Sequence, residues 1–217
     1  MLVITSTLFF FHHRGHGGHG VLLIKQKKLY VLCALCGEFP YLCSVMEKFE
    51  LHILGCGSAL PTTRHFATSQ VVNVRDKLYM IDCGEGSQLQ FRKSRLKFSR
   101  LNHIFISHLH GDHCFGLLGL ISTLNLLGRT AELHIHSPKG LEALFVPMLS
   151  FFCRQMTYQV LFHEFEMKEP GMIYEDRSLT VTTIPLRHRM PCCGFLFAEK
   201  QRPNHIIREM VDFYEVP

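Results

Sequence analysis

The alternation of apolar and polar positions changes character near residue 46 of the 217-residue chain. Downstream, short apolar runs of strand length alternate with longer apolar segments of helix length, the pattern of an α/β chain. Residues 50–56 form the first run, and Gly55 and Gly57 permit a tight reversal at its end. Residues 68–74 and 77–81 predict a hairpin around Arg75-Asp76, and residues 86–99 predict a helix. The run His103-Ile104-Phe105-Ile106 predicts another strand, which ends in a turn at Gly111. Residues 115–127 are apolar on nearly every face and predict a helix buried against a sheet. Residues 133–136, 158–166 and 179–184 predict further strands, with a helix at 138–152 and a late strand at Cys193-Gly194-Phe195. An amphipathic helix is expected at 204–213, its apolar set being Ile206, Ile207, Met210, Val211 and Phe213.

Upstream of residue 46 the pattern differs. Residues 2–11 are an apolar run too short to span a bilayer and without the positively charged start of a signal peptide. A His/Gly tract at residues 12–20 reads as flexible coil, and Cys33-Ala34-Leu35-Cys36 lacks the second pair that a zinc finger needs. Residues 1–45 are therefore expected to lie outside the folded domain, as dispensable sequence ahead of a natural start at Met46. A membrane anchor built from residues 2–11 and 29–36 is the alternative.

Composition adds bounds. At 47% hydrophobic, the chain can bury one sizeable core. Its nine cysteines form no regular framework and sit mostly inside apolar runs, which points to a reducing compartment. The net charge of +5 is concentrated upstream: residues 1–45 hold four Lys/Arg against one Asp/Glu, which leaves 19 against 17 elsewhere, or +2. Global charge is thus a weak pointer to nucleic acid. A local cluster, Arg92, Lys93, Arg95, Lys97 and Arg100, could contact RNA phosphates or simply be a solvated face.

The chemistry concentrates in Ser107-His108-Leu109-His110-Gly111-Asp112-His113. In an extended backbone His108 and His110 point to one side. Gly111 lets the chain reverse, and Asp112 and His113 then project from the start of the next helix. Neutral imidazoles suit zinc, and a carboxylate helps offset a second divalent ion. Two ions held about 3.5–4 Å apart can activate water and neutralise charge on a phosphoryl oxygen, so hydrolysis is the expected reaction. His134 and His136 form a second HxH pair, but nothing acidic follows them, and they read as ordinary strand residues.

The run His-x-His-x-Asp-His resembles the signature of the metallo-β-lactamase superfamily. Leu54-Gly55-Cys56-Gly57-Ser58-Ala59-Leu60-Pro61-Thr62, Met80-Ile81-Asp82-Cys83-Gly84-Glu85-Gly86-Ser87-Gln88-Leu89-Gln90, and His188 ahead of Cys193-Gly194-Phe195-Leu196-Phe197-Ala198-Glu199 are similar to ribonuclease Z, the family of tRNA 3′-processing endonucleases. The similarity runs from about Met46 to the last residue. It implies an αβ/βα sandwich of two sheets, two zinc ions, precursor tRNA as substrate, a homodimer, and a cytoplasmic protein with no membrane association. It further implies that His108, His110 and His188 hold the first zinc, that Asp112 and His113 serve the second, and that Asp112 is the general base. Asp82 would buttress the ligand loop without binding metal, and cleavage would leave a 3′-hydroxyl on the tRNA.

The family's later ligands, a bridging aspartate and a second-site histidine, and its His-Glu motif have no match here; His205 and Asp212 fall on the expected helix. The expectation is an N-terminal half of the fold over residues 46–200, with residues 201–217 beginning the arm that clamps tRNA. Such a chain would hold at most one zinc tightly. Another hydrolase of the same fold, phosphodiesterase or thioesterase, and an inactive product that folds poorly or only binds tRNA or an intact partner both remain open.

Overall fold

A computed structural model describes residues 2–4, 21–22, 49–60, 62–187 and 190–200. The expected strands form, and their side chains alternate between two cores. In chain order the strands are β1 (Leu2–Ile4), β2 (Val21–Leu22), β3 (Phe49–Gly55), β4 (Ser69–Val74), β5 (Lys77–Ile81), β6 (Leu101–Phe105), β7 (Leu133–Pro138), β8 (Val160–Phe165), β9 (Met172–Glu175), β10 (Leu179–Leu186) and β11 (Cys192–Glu199). The helices are α1 (Ser87–Lys93), α2 (Gly111–Cys114), α3 (Gly116–Leu126) and α4 (Leu141–Phe152).

Strands β2-β3-β4-β5-β6-β7-β8 make one sheet in that order, and β1-β11-β10-β9 make a second. The large sheet begins antiparallel and turns parallel from β5 onward. Two short stretches of residues 1–45 thus extend the sheets at their edges: Leu2–Ile4 pairs with β11 and Val21–Leu22 with β3.

On the large sheet's helix side, Val71, Met80, Ile104 and Ile135 meet Leu117, Leu120, Ile121 and Phe145 in the first core. On its other face, Val72, Tyr79, Ile81 and Phe105 meet Val181, Phe195 and Phe197 of the second sheet. Alternate residues of one strand serve opposite cores, as the pleat requires. The result is a two-sheet sandwich with helices on the outer face of the larger sheet, the layering that the resemblance implies.

Two local departures from the expected pattern matter for the site. The helix after Gly86 stops at Lys93, because Ser94 caps it and Arg95 takes a left-handed φ of 55°. The chain then folds back so that Phe98 stacks on Phe91, their centroids 4.6 Å apart. The basic cluster is therefore split between a helix end and a turn, and Arg100 pairs with Asp76 at 2.8 Å. The helix beyond the ligand turn is also not buried all round: Leu117, Leu120, Ile121 and Leu124 pack inward, whereas Phe115 and Leu126 face solvent. Strand β9 has no counterpart in the sequence reading. His188 and the expected helix at 204–213 lie outside the described residues.

Candidate metal centre

The site is built where parallel strands end. Asp82 follows β5, and Ser107-His108 follow β6, so both reach the crevice at the carboxyl ends of the strands. Backbone bonds knit these ends together: Asp82 N–H donates to Phe105 O (2.8 Å), and Cys83 N–H donates to His113 O (2.7 Å). Gly116 N–H returns to Cys83 O at 2.8 Å. This proximity needs glycine. A Cβ on Gly84 would stand 2.3 Å from Asp112 O, and one on Gly116 would stand 2.1 Å from Gly84 O.

Asp82 is fully buried and occupies the left-handed region at φ 54°, which aspartate tolerates better than most residues. Its carboxylate accepts from Ser107 N–H (2.8 Å), Ser107 Oγ–H (2.9 Å) and His113 Nδ1–H (2.7 Å). Ser107 Oγ, having spent its proton on Asp82, is left to accept from His108 Nδ1 at 3.1 Å. These bonds assign the tautomers: His113 and His108 both hold their proton on Nδ1 and turn Nε2 toward the crevice. A carboxylate behind an imidazole is the arrangement that orients metal-ligating histidines.

The donors then fall into two pairs. His108 Nε2 stands 3.0 Å from His110 Nδ1, and His113 Nε2 stands 3.5 Å from Asp112 Oδ2. Two ligands each 2.0–2.1 Å from one tetrahedral zinc are separated by about 3.3 Å, so both pairs have a chelating spacing. The rings of His108 and His113 lie 3.8 Å apart between centroids, which brings the two pairs into one site. Among the described residues no group of three donors converges on one point. His188 lies outside the described residues; on β11, Cys193 N–H donates to Ser107 O at 3.1 Å.

Three thiols surround the turn without joining it. Cys114 Sγ–H donates to His110 O and Cys193 Sγ–H to Ser107 O. Burial pushes Cys83 up to about 12 and Cys114 up to about 11, and raises Cys193 further. They are protonated donors at neutral pH, unsuited to binding metal as thiolates.

An open cleft of about 740 Å³ leads to the pairs, lined by His110, Asp112, Glu85, His65, Phe66 and Phe115 among others. Lys93 Nζ stands over the Phe66 ring, 5.4 Å from its centroid. Sequence reasoning assigned no role to these two phenylalanines; the one available signal for Phe115 was its position directly after the ligand run. Arg92, Lys93, Arg95 and Lys97 are all exposed.

A family model described as Anti-Pycsar protein Apyc1 matches residues 49–205, well over half of the chain. The chain belongs to this family. Its curated relatives carry another name: a ribonuclease Z from Bacteroides thetaiotaomicron is 83% identical over 172 residues, covering 79% of this chain and 54% of that protein. Identity at that level makes the chain a homologue of ribonuclease Z, and it spans about half the length of the curated relatives it matches. Among solved structures, the short form of human tRNase Z is 30% identical with a TM-score of 0.64, covering 70% of this chain and 66% of that one. The metallo-β-lactamase fold protein YhfI from Bacillus subtilis, 15% identical with a TM-score of 0.53, covers 69% of this chain and 57% of that one. These neighbours establish the metallo-β-lactamase fold, as the sequence motifs implied. Among the described residues no helix is long and apolar enough to cross a membrane.

Proposed function

We propose that this family member acts as a zinc-dependent endoribonuclease that removes the 3′ trailer of precursor tRNA. The observation that carries the reading is the pair of chelating spacings at His108/His110 and Asp112/His113, backed by the buried Asp82. The name of the curated relatives supports the substrate. Residues 46–200 are the catalytic domain in this reading, residues 1–45 lie outside its chemistry, and residues 201–217 begin a tRNA-binding arm. The working form is a cytoplasmic homodimer.

His108 and His110, joined by His188, would hold one zinc, and Asp112 and His113 would serve a second that this chain binds weakly. Zinc, when bound, supplies Lewis acidity toward the phosphoryl oxygens and lowers the pKa of water. Asp82 keeps His113 in one tautomer, and Ser107 does the same for His108. The Asp112 carboxylate takes the proton of the attacking water. A P–O bond forms to that water as the bond to the tRNA 3′ oxygen breaks, and that oxygen takes a proton from solvent. The tRNA leaves with a 3′-hydroxyl and the trailer with a 5′-phosphate.

Parallel assays on precursor tRNA, a chromogenic phosphodiester and a β-lactam test this. The expected result is trailer release that stops on chelation. Faster turnover of either small substrate would assign a sibling activity. No turnover with tRNA binding retained would make the chain a binding protein.

Lys93 and Arg92 lie at the exposed C-terminal turn of α1, next to the cleft. Reversing both charges is expected to flatten the dependence of tRNA affinity on salt by about 1.4–1.8 in log–log slope, as two phosphate contacts are lost. A filter-binding series from 50 to 300 mM salt measures it, and an unchanged slope would return these residues to an ordinary solvated face.

A further inference from the structure

The cleft has a wall that the hydrolytic chemistry does not use. Phe115, on the turn between α2 and α3, is 72% exposed, and Phe66, on the loop after β3, is 40% exposed. Both line the cleft together with His110 and Asp112. Large aromatic side chains are usually withdrawn from water, so two of them open to solvent in one concave site call for a ligand that covers them.

Both rings are held in place. The Phe115 ring packs on Gly111, where an added Cβ would lie 2.3 Å from Cε2, so it is fixed to the ligand turn itself. The Phe66 ring lies beside Gly86, where an added Cβ would lie 3.1 Å from Cδ1, and under the Lys93 ammonium. Glu85 also lines the cleft, and a carboxylate there disfavours a phosphate. Lys93, at the rim, attracts one. An occupant with an uncharged planar π-face and an adjoining anion satisfies all four side chains.

We propose that Phe115 and Phe66 form a nucleobase-stacking subsite, which seats the unpaired base next to the reacting phosphate of a single-stranded RNA end while Lys93 takes the neighbouring phosphate. The subsite rests on the reading of the chain as a nuclease, and it supplies what the metal turn lacks, a register for the RNA. Stacking on aromatic faces is the usual way proteins hold unpaired bases, and it tolerates any sequence.

The test uses a short single-stranded RNA carrying 2-aminopurine, whose fluorescence falls when it stacks on an aromatic ring. Titration with the full chain in the presence of chelator removes turnover from the measurement. Quenching is expected with the unaltered protein, with affinity about ten-fold weaker and the quench lost in Phe115→Ala, and both kept in Phe115→Trp. The same RNA with an abasic site in place of 2-aminopurine, followed through an end label, should bind as weakly as Phe115→Ala binds the parent. Equal quenching by the unaltered protein and Phe115→Ala, or no quenching by either, would overturn the proposal. Because the readout needs no cleavage, quenching without tRNA processing would leave the subsite standing and remove the nuclease reading instead.

Discussion

An Asp82→Ala protein will unfold at lower urea concentration than its parent, with a stability loss of about 3–5 kcal/mol. Three effects add. The substitution leaves Ser107 N–H, Ser107 Oγ–H and His113 Nδ1–H without their buried acceptor, and each unmade bond costs about 1–3 kcal/mol. It places alanine at φ 54°, a region that costs an ordinary L-residue about 1–2 kcal/mol. It also releases His113 to rotate. Asp82→Asn separates these terms, since asparagine tolerates the same backbone and can still accept from Ser107 N–H, yet turns a donor or a weaker acceptor toward His113. Its fold should survive while zinc affinity drops about 10- to 100-fold, read by competition with a chromophoric chelator. An alanine variant within about 0.5 kcal/mol of the parent would show that the buried carboxylate does not organise the turn.

Acidification is expected to have an effect of similar size, through a different set of histidines. His103 on β6, His134 and His136 on β7 and His163 on β8 form a stacked array on the face of the large sheet that looks toward the second sheet. His136 lies 4.6 Å from the Phe105 ring and 4.8 Å from His163, and His103 lies 4.3 Å from Tyr174. Hydrogen bonds join His103 to His136 (3.2 Å) and His134 to His163 (3.0 Å).

Burial, then repulsion from neighbouring imidazoles, pushes His103 and His136 down to about 3; Lys77 adds to the shift at His103, and Asp176 opposes it. The folded pKa is depressed below the unfolded value, so the unfolded chain binds more protons as pH falls. Stability is therefore intact above pH ~6.5 and is lost progressively between there and pH ~3. At pH 5 each imidazole costs about 2 kcal/mol. Urea midpoints followed by circular dichroism at pH 7.5 and pH 5 measure the loss, and His136→Phe should recover about half of it. An equal pH dependence in His136→Phe would place the acid sensitivity elsewhere.

The histidine array shows what the sequence could and could not convey. His134 and His136 belong to a strand, as their alternation with Leu133 and Ile135 indicates. Their partners come from β6, β8 and β9, and the registers that align them are set by parallel pairings between segments tens of residues apart. The local motifs were far more legible. The hairpin at Arg75-Asp76 forms with both residues at positive φ, and His108 and His110 come within 3.0 Å of each other, although both lie in the turn beyond β6 and not in a strand. Asp82 was recognisable as a support by resemblance, while its three bonds depend on β5 and β6 ending side by side. The composition of Arg92 to Phe98 predicts a longer helix than α1, and the stacking of Phe98 on Phe91 outweighs that propensity. Periodicity predicts Phe115 buried and the structure exposes it, since an apolar stripe does not say which of its members reaches water.

The sulfur chemistry around the turn has one practical corollary. Of the described cysteines, Cys56 is the one exposed to solvent, while Cys83, Cys114 and Cys193 sit behind the ligand loop as protonated thiols. A peroxide or a maleimide attacks the thiolate form, so within this part of the chain it will react at Cys56 and spare the loop. Air-aged preparations can therefore gain surface adducts while the imidazoles remain competent to take up metal.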